Sequence, residues 1–286
     1  MAIEVRTLKP GDDLLLSDFL ESRADSSMFL SANLKRSGLI DTGEPYSGTY
    51  VAAMNGSRIE AVAAQFWTGF IALQAAYHLG PILGHLTRLA LRPVRGLLGP
   101  LEQVDEARQL LGLMKAPTRK FSREDLFALA LNRIEIPEHL AEGRWTSRRP
   151  RREELKELVE WRVASIVETA AGDDTPDTRI EAEEGIRRWD REGALWVLEV
   201  DGRLVSMNSY NAAVPGMVQI GGVYTPPDLR GLGFARACVA GSLLAAHRAS
   251  VDRAVLFTPK SNASAQAAYR AIGFRVVGEY GLFVLK

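Results

Sequence analysis

The sequence predicts an α/β fold of the α+β type, built as two tandem domains, each a mixed, mostly antiparallel sheet flanked by helices. Three observations carry this expectation. A β-branched and aromatic run at residues 217–224 stops at Pro226 and Pro227, and a glycine turn and an Ala- and Leu-rich helical run follow it. Asn55-Gly56 separates two apolar runs in the manner of a hairpin. The same order of strand and helix signals occurs twice in 286 residues, a length that gives two ordinary domains a core each.

In the first half, residues 3–8 read as a strand and 13–19 and 28–36 as helices. Strands 51–54 and 59–66 flank Asn55-Gly56, and strand 70–75 follows. A helix at 81–91, a short strand near Leu97, a helix at 101–110 and a strand at 126–131 complete the unit. In the second half, strand 144–147 precedes helices 153–170 and 179–192. Strands 195–200 and 204–209 turn at Asp201-Gly202. Strand 217–224, the helix after the glycines, strand 254–258, helix 262–272 and strands within 274–286 follow. The boundary is expected near Gly143, giving domains 1–143 and 144–286, with the polar stretch Arg148-Arg149-Pro150-Arg151-Arg152 just inside the second.

Composition excludes several classes. Hydrophobic content of 47% and charged content of 24% are those of an ordinary globular protein. Thirty-five basic residues balance 35 acidic ones, so no net field draws the chain to nucleic acid or an anionic membrane. A single cysteine, Cys238, rules out an internal disulfide and reads as a small buried residue of the helix. Residues 61–79 reach bilayer-spanning length, but Gln65, Gln74, His78 and Gly69 interrupt them, and they read as buried strands. Residues 1–6 carry no apolar signal core, so a cytoplasmic location is expected.

The chemistry is expected at Arg230-Gly231-Leu232-Gly233-Phe234-Ala235. A helix that starts here offers unpartnered N–H groups and the positive end of its dipole to an anion. Gly231 and Gly233 allow close approach to the backbone, and Arg230 adds a phosphate-matching charge. A dinucleotide fingerprint fails at Arg236, where Gly or Ala is required, and no Gly-Lys-Ser/Thr of a P-loop follows. The plain alternative is a glycine-rich turn beside an exposed arginine.

Arg-x-x-Gly-x-Ala after a Tyr-Thr-Pro-Pro strand end resembles motif A of the GNAT superfamily, the acetyl-CoA-dependent N-acetyltransferases. A second block, running from Asn262 through Tyr269 to Gly273-Phe274, is similar to that family's later signature. Asn262 and Tyr269, seven positions apart, share one helix face at about 10 Å along the axis. As local structure alone, Asn262 reads as a helix cap and Tyr269 as a core aromatic.

The resemblance implies acetyl-CoA as co-substrate and direct attack by an amine in a ternary complex; no metal is expected, and the expected acceptor, which the motif itself does not fix, is a small-molecule or amino-acid-like amine. It implies that backbone groups of Val223, Tyr224 and Thr225 bind the acetyl carbonyl and pantetheine. The amides of Gly231, Leu232, Gly233, Phe234, Ala235 and Arg236, with the Arg230 side chain, would hold the pyrophosphate. Asn262 would contact the cofactor arm and Tyr269 would protonate the departing thiolate.

The first half departs from the motif, since His78-Leu79-Gly80-Pro81-Ile82-Leu83-Gly84 stands where the glycine turn belongs. It is expected to be a degenerate GNAT-like domain serving packing or substrate enclosure. His78 and His85 complete no metal set. Strand 217–224 carries no Asp or Glu, and Gln219 lies where many members place a carboxylate. Glu199 is a candidate base or a pairing residue, and Trp196 and Tyr210 are candidates for the acceptor pocket or the core. Transfer to a protein or peptide, or a non-catalytic acyl-CoA-binding regulatory role, remain alternatives to a small amine.

Overall fold

The computed structural model describes residues 3–89, 92–170 and 173–286. Two compact units emerge, Met1–Leu126 with Val277–Lys286, and Phe127–Val276.

In the first unit, β1 (Glu4–Thr7), α1 (Asp13–Glu21) and α2 (Ala24–Ser37) precede β2 (Gly48–Asn55), β3 (Arg58–Phe66) and β4 (Phe70–Gln74). Then come α3 (Leu79–Leu89), β5 (Gly96–Pro100), α4 (Leu101–Leu110) and β6 (Thr118–Ala130). Residues 90 and 91, to which the predicted helix extended, lie outside the described residues. The pairs β1–β2, β2–β3 and β3–β4 are antiparallel, and β4–β5 is parallel. Val51, Ala53, Ala61, Ala63, Ile71 and Leu73 alternate along three strands and meet Ile82 and Leu86 of α3 and Val104 of α4 in one core. The apolar run at 61–79 is thus buried strand, and no described helix is long and apolar enough to cross a membrane.

The second unit holds the end of β6, α5 (Glu138–Ala141), β7 (Trp145–Arg148), α6 (Leu155–Ala170), α7 (Pro176–Arg191), β8 (Leu195–Val200) and β9 (Arg203–Val214). It continues through β10 (Met217–Tyr224), α8 (Phe234–Arg248), β11 (Arg253–Pro259) and α9 (Ala263–Arg270) into β12 (Arg275–Leu285). Again three antiparallel pairs, β7–β8, β8–β9 and β9–β10, are followed by one parallel pair, β10–β11. Local chemistry sets the ends. Thr175 caps α7 by accepting from the Thr178 N–H at 3.2 Å, with Pro176 in the first turn. Asp201 and Gly202, at φ +50° and +74°, turn β8 into β9.

A cut at Gly143 is not where the compact units divide. Residues 127–143 pack with the second unit, where Phe127, Leu129 and Leu131 join Val239, Leu243 and Phe274. From Val277 onward β12 belongs to the first unit, pairing antiparallel with β5 and setting Phe283 into that core. The predicted order of elements places the final strand with its sequence neighbours. The hydrogen-bonded partner it takes is instead more than a hundred residues upstream, which no local signal specifies.

Candidate functional site

The parallel pair β10–β11 is in register from Met217 opposite Arg253 to Gln219 opposite Val255. Beyond that rung β10 continues to Tyr224 and β11 to Pro259, so the two strands part and leave a notch. A bulge in β10 forms the notch on its other flank, because pairing with β9 shifts register between Gly221 and Tyr224. Gly222 makes this bend at φ +57°, and a Cβ there would lie 2.7 Å from Ser209 Oγ and 2.9 Å from the Trp189 ring. Only glycine fits.

Past the notch, Pro226 and Pro227 end the strand and the glycine turn begins. Gly231 and Gly233 adopt φ +81° and +83°, and Gly233 precedes α8 without any side-chain cap. The first amides of α8 therefore keep their donors for an anion. Arg236 lies against this turn, its Nη2 3.4 Å from the Cβ position of Gly233, and its Nε is shielded from solvent with no hydrogen-bond partner.

Arg230 is already engaged. Its Nε donates to the Thr225 carbonyl at 2.9 Å and its Nη2 to Glu168 of α6 at 3.0 and 2.8 Å. The Arg230–Glu168 pair is solvent-exposed, with side chains 48% and 42% accessible. Thr225 Oγ1 donates to Ser206 Oγ at 3.0 Å, which donates to the Tyr224 carbonyl at 3.0 Å. The carbonyls of Tyr224 and Thr225 thus have protein partners. Burial pushes the Tyr224 phenol above its ordinary value, and the Glu168 charge adds to this against the opposing effect of Arg230.

Asn262 caps α9, accepting from the Ala265 N–H at 3.1 Å, and is exposed. Tyr269 is 7% exposed, and its ring meets Phe127 and Phe274 edge-on at 6.3 and 6.1 Å. Gly273 ends the segment at φ +102°. The predicted residues thus gather around β10, the turn, and α9, in the order their motifs run.

No carboxylate joins them from β10. Glu199 is held by Arg148, which also binds Glu154 at 2.6 Å, and Arg151 lies 3.4 Å away. It is a pairing residue. Trp196 and Tyr210 pack at 6.3 Å between ring centroids, and the Tyr210 hydroxyl donates to the Ser242 carbonyl at 2.7 Å. Burial pushes that phenol up to about 12, so it does not serve as a base. Cys238 is fully buried, donates to Asn208 Oδ1 at 3.2 Å, and burial pushes its thiol up. Among the described residues no group of three His, Cys, Asp or Glu is placed to hold a metal ion.

Two residues carry chemistry that the sequence reading missed. Arg162 of α6 sits over the Trp189 ring at 5.1 Å, with Nε shielded and unpartnered. Nothing in its sequence context marks it. Gly222 had a visible signal, the Gly-Gly pair inside an otherwise β-branched strand.

The first unit is built differently at the matching place. Strands β4 and β5 pair from Phe70 to Ala72, yet stay close beyond, since a Cβ on Gly99 would lie 2.7 Å from the Leu73 carbonyl oxygen. The Ala75 N–H donates to Gln103 Oε1 at 2.7 Å. A cavity of about 480 Å³ lined by Gln65, Ile71, Leu86 and Arg92 opens elsewhere in this unit, and Asp41 holds its arginine at 2.9 Å. His78 meets Glu60 at 3.1 Å and His85 meets Thr7 at 3.2 Å.

The profile of the acetyltransferase (GNAT) family matches residues 157–274. No curated protein matches the chain. Solved structures do. A Drosophila protein superimposes with TM-score 0.67 at 12% identity, covering 98% of each chain. A GCN5-related N-acetyltransferase from Sphaerobacter thermophilus gives 0.57 at 17%, covering 98% of this chain and 94% of its own. A tandem GNAT protein of the clavulanic acid biosynthesis pathway gives 0.53 at 13%, covering 99% and 97%. Residues 157–274 thus match the acetyltransferase (GNAT) family, and the chain over its length is similar in fold to the tandem GNAT structure.

Proposed function

We propose that the second unit, Phe127–Val276, expected from the sequence as residues 144–286, is a catalytic domain that transfers the acetyl group of acetyl-CoA to the amine of a small-molecule or amino-acid-like acceptor, by direct attack in a ternary complex. The first unit, expected from the sequence as residues 1–143, is on this reading a degenerate GNAT-like domain without cofactor. The observation that carries the proposal is the parting of β10 and β11 after Gln219, in line with the uncapped start of α8. The second unit fits the co-substrate on those grounds. In the first unit, Gln103 and the close approach at Gly99 fill the matching place.

Acetyl-CoA, when bound, supplies an activated acetyl thioester. Backbone groups of Val223, Tyr224 and Thr225 would bind the acetyl carbonyl and pantetheine arm, and an N–H there would stabilise charge that develops on the carbonyl oxygen. The amides of Gly231, Leu232, Gly233, Phe234, Ala235 and Arg236 hold the pyrophosphate. Arg230 exchanges its exposed bond to Glu168 for phosphate oxygens, at small cost because exposed pairs contribute little. Asn262 contacts the arm.

Tyr269 holds a proton at Oη for the departing thiolate. A phenol of reference pKa about 10 gives a proton uphill to a thiolate of about 8.5, so positioning rather than driving force must supply the rate. With Glu199 tied to Arg148, an amine of pKa about 8, as for an α-amino group, suits the site because about a tenth to a half of it is already neutral between about pH 7 and 8.

The missing carboxylate on β10 favours a second reading, a non-catalytic acyl-CoA-binding regulatory module; transfer to a protein or peptide would need an extended acceptor track that the chain does not display. Release of CoA thiol from acetyl-CoA across a panel of small amines and peptides separates the three. Amine-dependent release supports the proposal, release with peptides alone moves the acceptor class, and binding without release leaves the regulatory reading.

A further inference from the structure

We infer that Arg162 anchors a carboxylate on the acceptor, so that the amine acetylated belongs to an acidic, amino-acid-like molecule; this rests on the acyl-transfer reading above and narrows its substrate class. Arg162 stands in the middle of α6, between Trp161, whose ring lies 6.2 Å from Tyr224, and Glu168, which meets Arg230. This helix packs in a core with Trp189, Met207 and Tyr224, separate from the cores that hold α8 and α9. The Arg162 guanidinium lies over Trp189 at 5.1 Å, and the same indole touches the Gly222 position at the β10 bulge. One aromatic ring separates the cation from the backbone where the acetyl carbonyl is proposed to sit.

Glu181 attracts the arginine only through space, without a hydrogen bond or ion pair. Its Nε is shielded from solvent without a hydrogen-bond partner, and it takes part in no ion pair among the described residues. Burial pulls the guanidinium below its ordinary range; Glu181 offsets this in part, and Arg188 adds like-charge repulsion. An unpaired cation held this way costs stability that leucine or methionine would not. The residue is also partly accessible, so a ligand can reach it. Arginine's planar fork matches a carboxylate in two parallel bonds, and its seat over the Trp189 ring limits where the fork can lie. An acceptor gripped there would present its amine toward the notch.

The test uses product-like probes that need no turnover. N-acetylglycine, N-acetyl-β-alanine and N-acetyl-γ-aminobutyrate are each titrated against the matching primary amide, in the presence of CoA, with intrinsic tryptophan fluorescence as the readout. At least one acid binds about tenfold or more tightly than its amide, as loss of a charged hydrogen bond requires. Arg162→Met, which keeps the apolar stem on Trp189, abolishes the preference, while Arg162→Lys retains part of it. CoA affinity stays at its wild-type value and the melting temperature of Arg162→Met stays at or above it, which separates lost recognition from lost folding. Equal binding of every acid and amide by the wild type, or an acid preference that survives Arg162→Met, overturns the inference. An Arg162-dependent acid preference without CoA release from any amine upholds the anion site and refutes the transferase reading instead.

Discussion

Gln103 Oε1 accepts a hydrogen bond from the Ala75 N–H at 2.7 Å, just past the end of β4. The corresponding strand of the second unit, β10, ends in a bulge and parts from its parallel neighbour after Gln219. One unit satisfies its strand-end donor internally and the other opens around it. This difference makes the second unit the expected seat of the cofactor.

The bulge depends on Gly222. Gly222→Ala sets a Cβ against Ser209 Oγ and the Trp189 ring at a positive φ, and is expected to destabilise the fold by about 1–3 kcal/mol. Thermal unfolding checks the stability. The weakening of acetyl-CoA binding should exceed any decrease in folded fraction, because the bulge aims the Val223 and Tyr224 amides.

Tyr269→Phe keeps the ring that packs on Phe127 and Phe274 and removes only the hydroxyl. Turnover is expected to fall about a hundredfold or more with acetyl-CoA affinity unchanged. Single-turnover kinetics beside a binding isotherm reads both, and undiminished turnover would sink the role of Tyr269.

Arg230 and Glu168 predict effects of opposite sign. Arg230→Ala should weaken acetyl-CoA binding, and Glu168→Gln, which frees the guanidinium, should strengthen it. Both effects should shrink as salt is raised, since the pair is exposed. A dissociation constant unmoved by Arg230→Ala would remove the phosphate contact.

Phe283, fully buried, sits in the core of the first unit although it lies at the end of the chain. Phe283→Ala is expected to cost about 3–5 kcal/mol, measured by denaturant unfolding. A loss below about 1 kcal/mol would contradict the placement of β12 beside β5.

Asp12 accepts two hydrogen bonds from Arg6, at 2.7 and 2.8 Å, and these hold its carboxyl at about 2. A depressed carboxylate stabilises the fold above its unfolded value of about 3.9, and that contribution is lost as pH falls through about 2. Asp12→Asn should therefore be less stable than wild type near neutrality, with the gap closing as pH falls from about 4 toward about 2. A gap independent of pH would contradict the assignment.

Local signals made most of this architecture readable. The glycine turn, the Asn262 cap and the Gly273 stop each act within a few residues, so their chemistry stands in the sequence itself. The hairpin at Asp201-Gly202 was legible for the same reason. The seat of β12 was not, because strand pairing between Leu282 and Leu98 depends on the whole fold. Arg162 looks like any surface arginine of a helix, and only its packing on Trp189 without an ion pair among the described residues sets it apart. Arg230 carried the right charge in the right motif, yet its bond to Glu168, 62 residues upstream, could not be read from spacing.

One unit is expected to bind acetyl-CoA and the other not. Calorimetric titration of acetyl-CoA into the protein tests it most directly. A single site per chain is the predicted result. Two sites would contradict the assignment of the first unit as degenerate, and no binding would contradict the seat of the cofactor between β10 and β11.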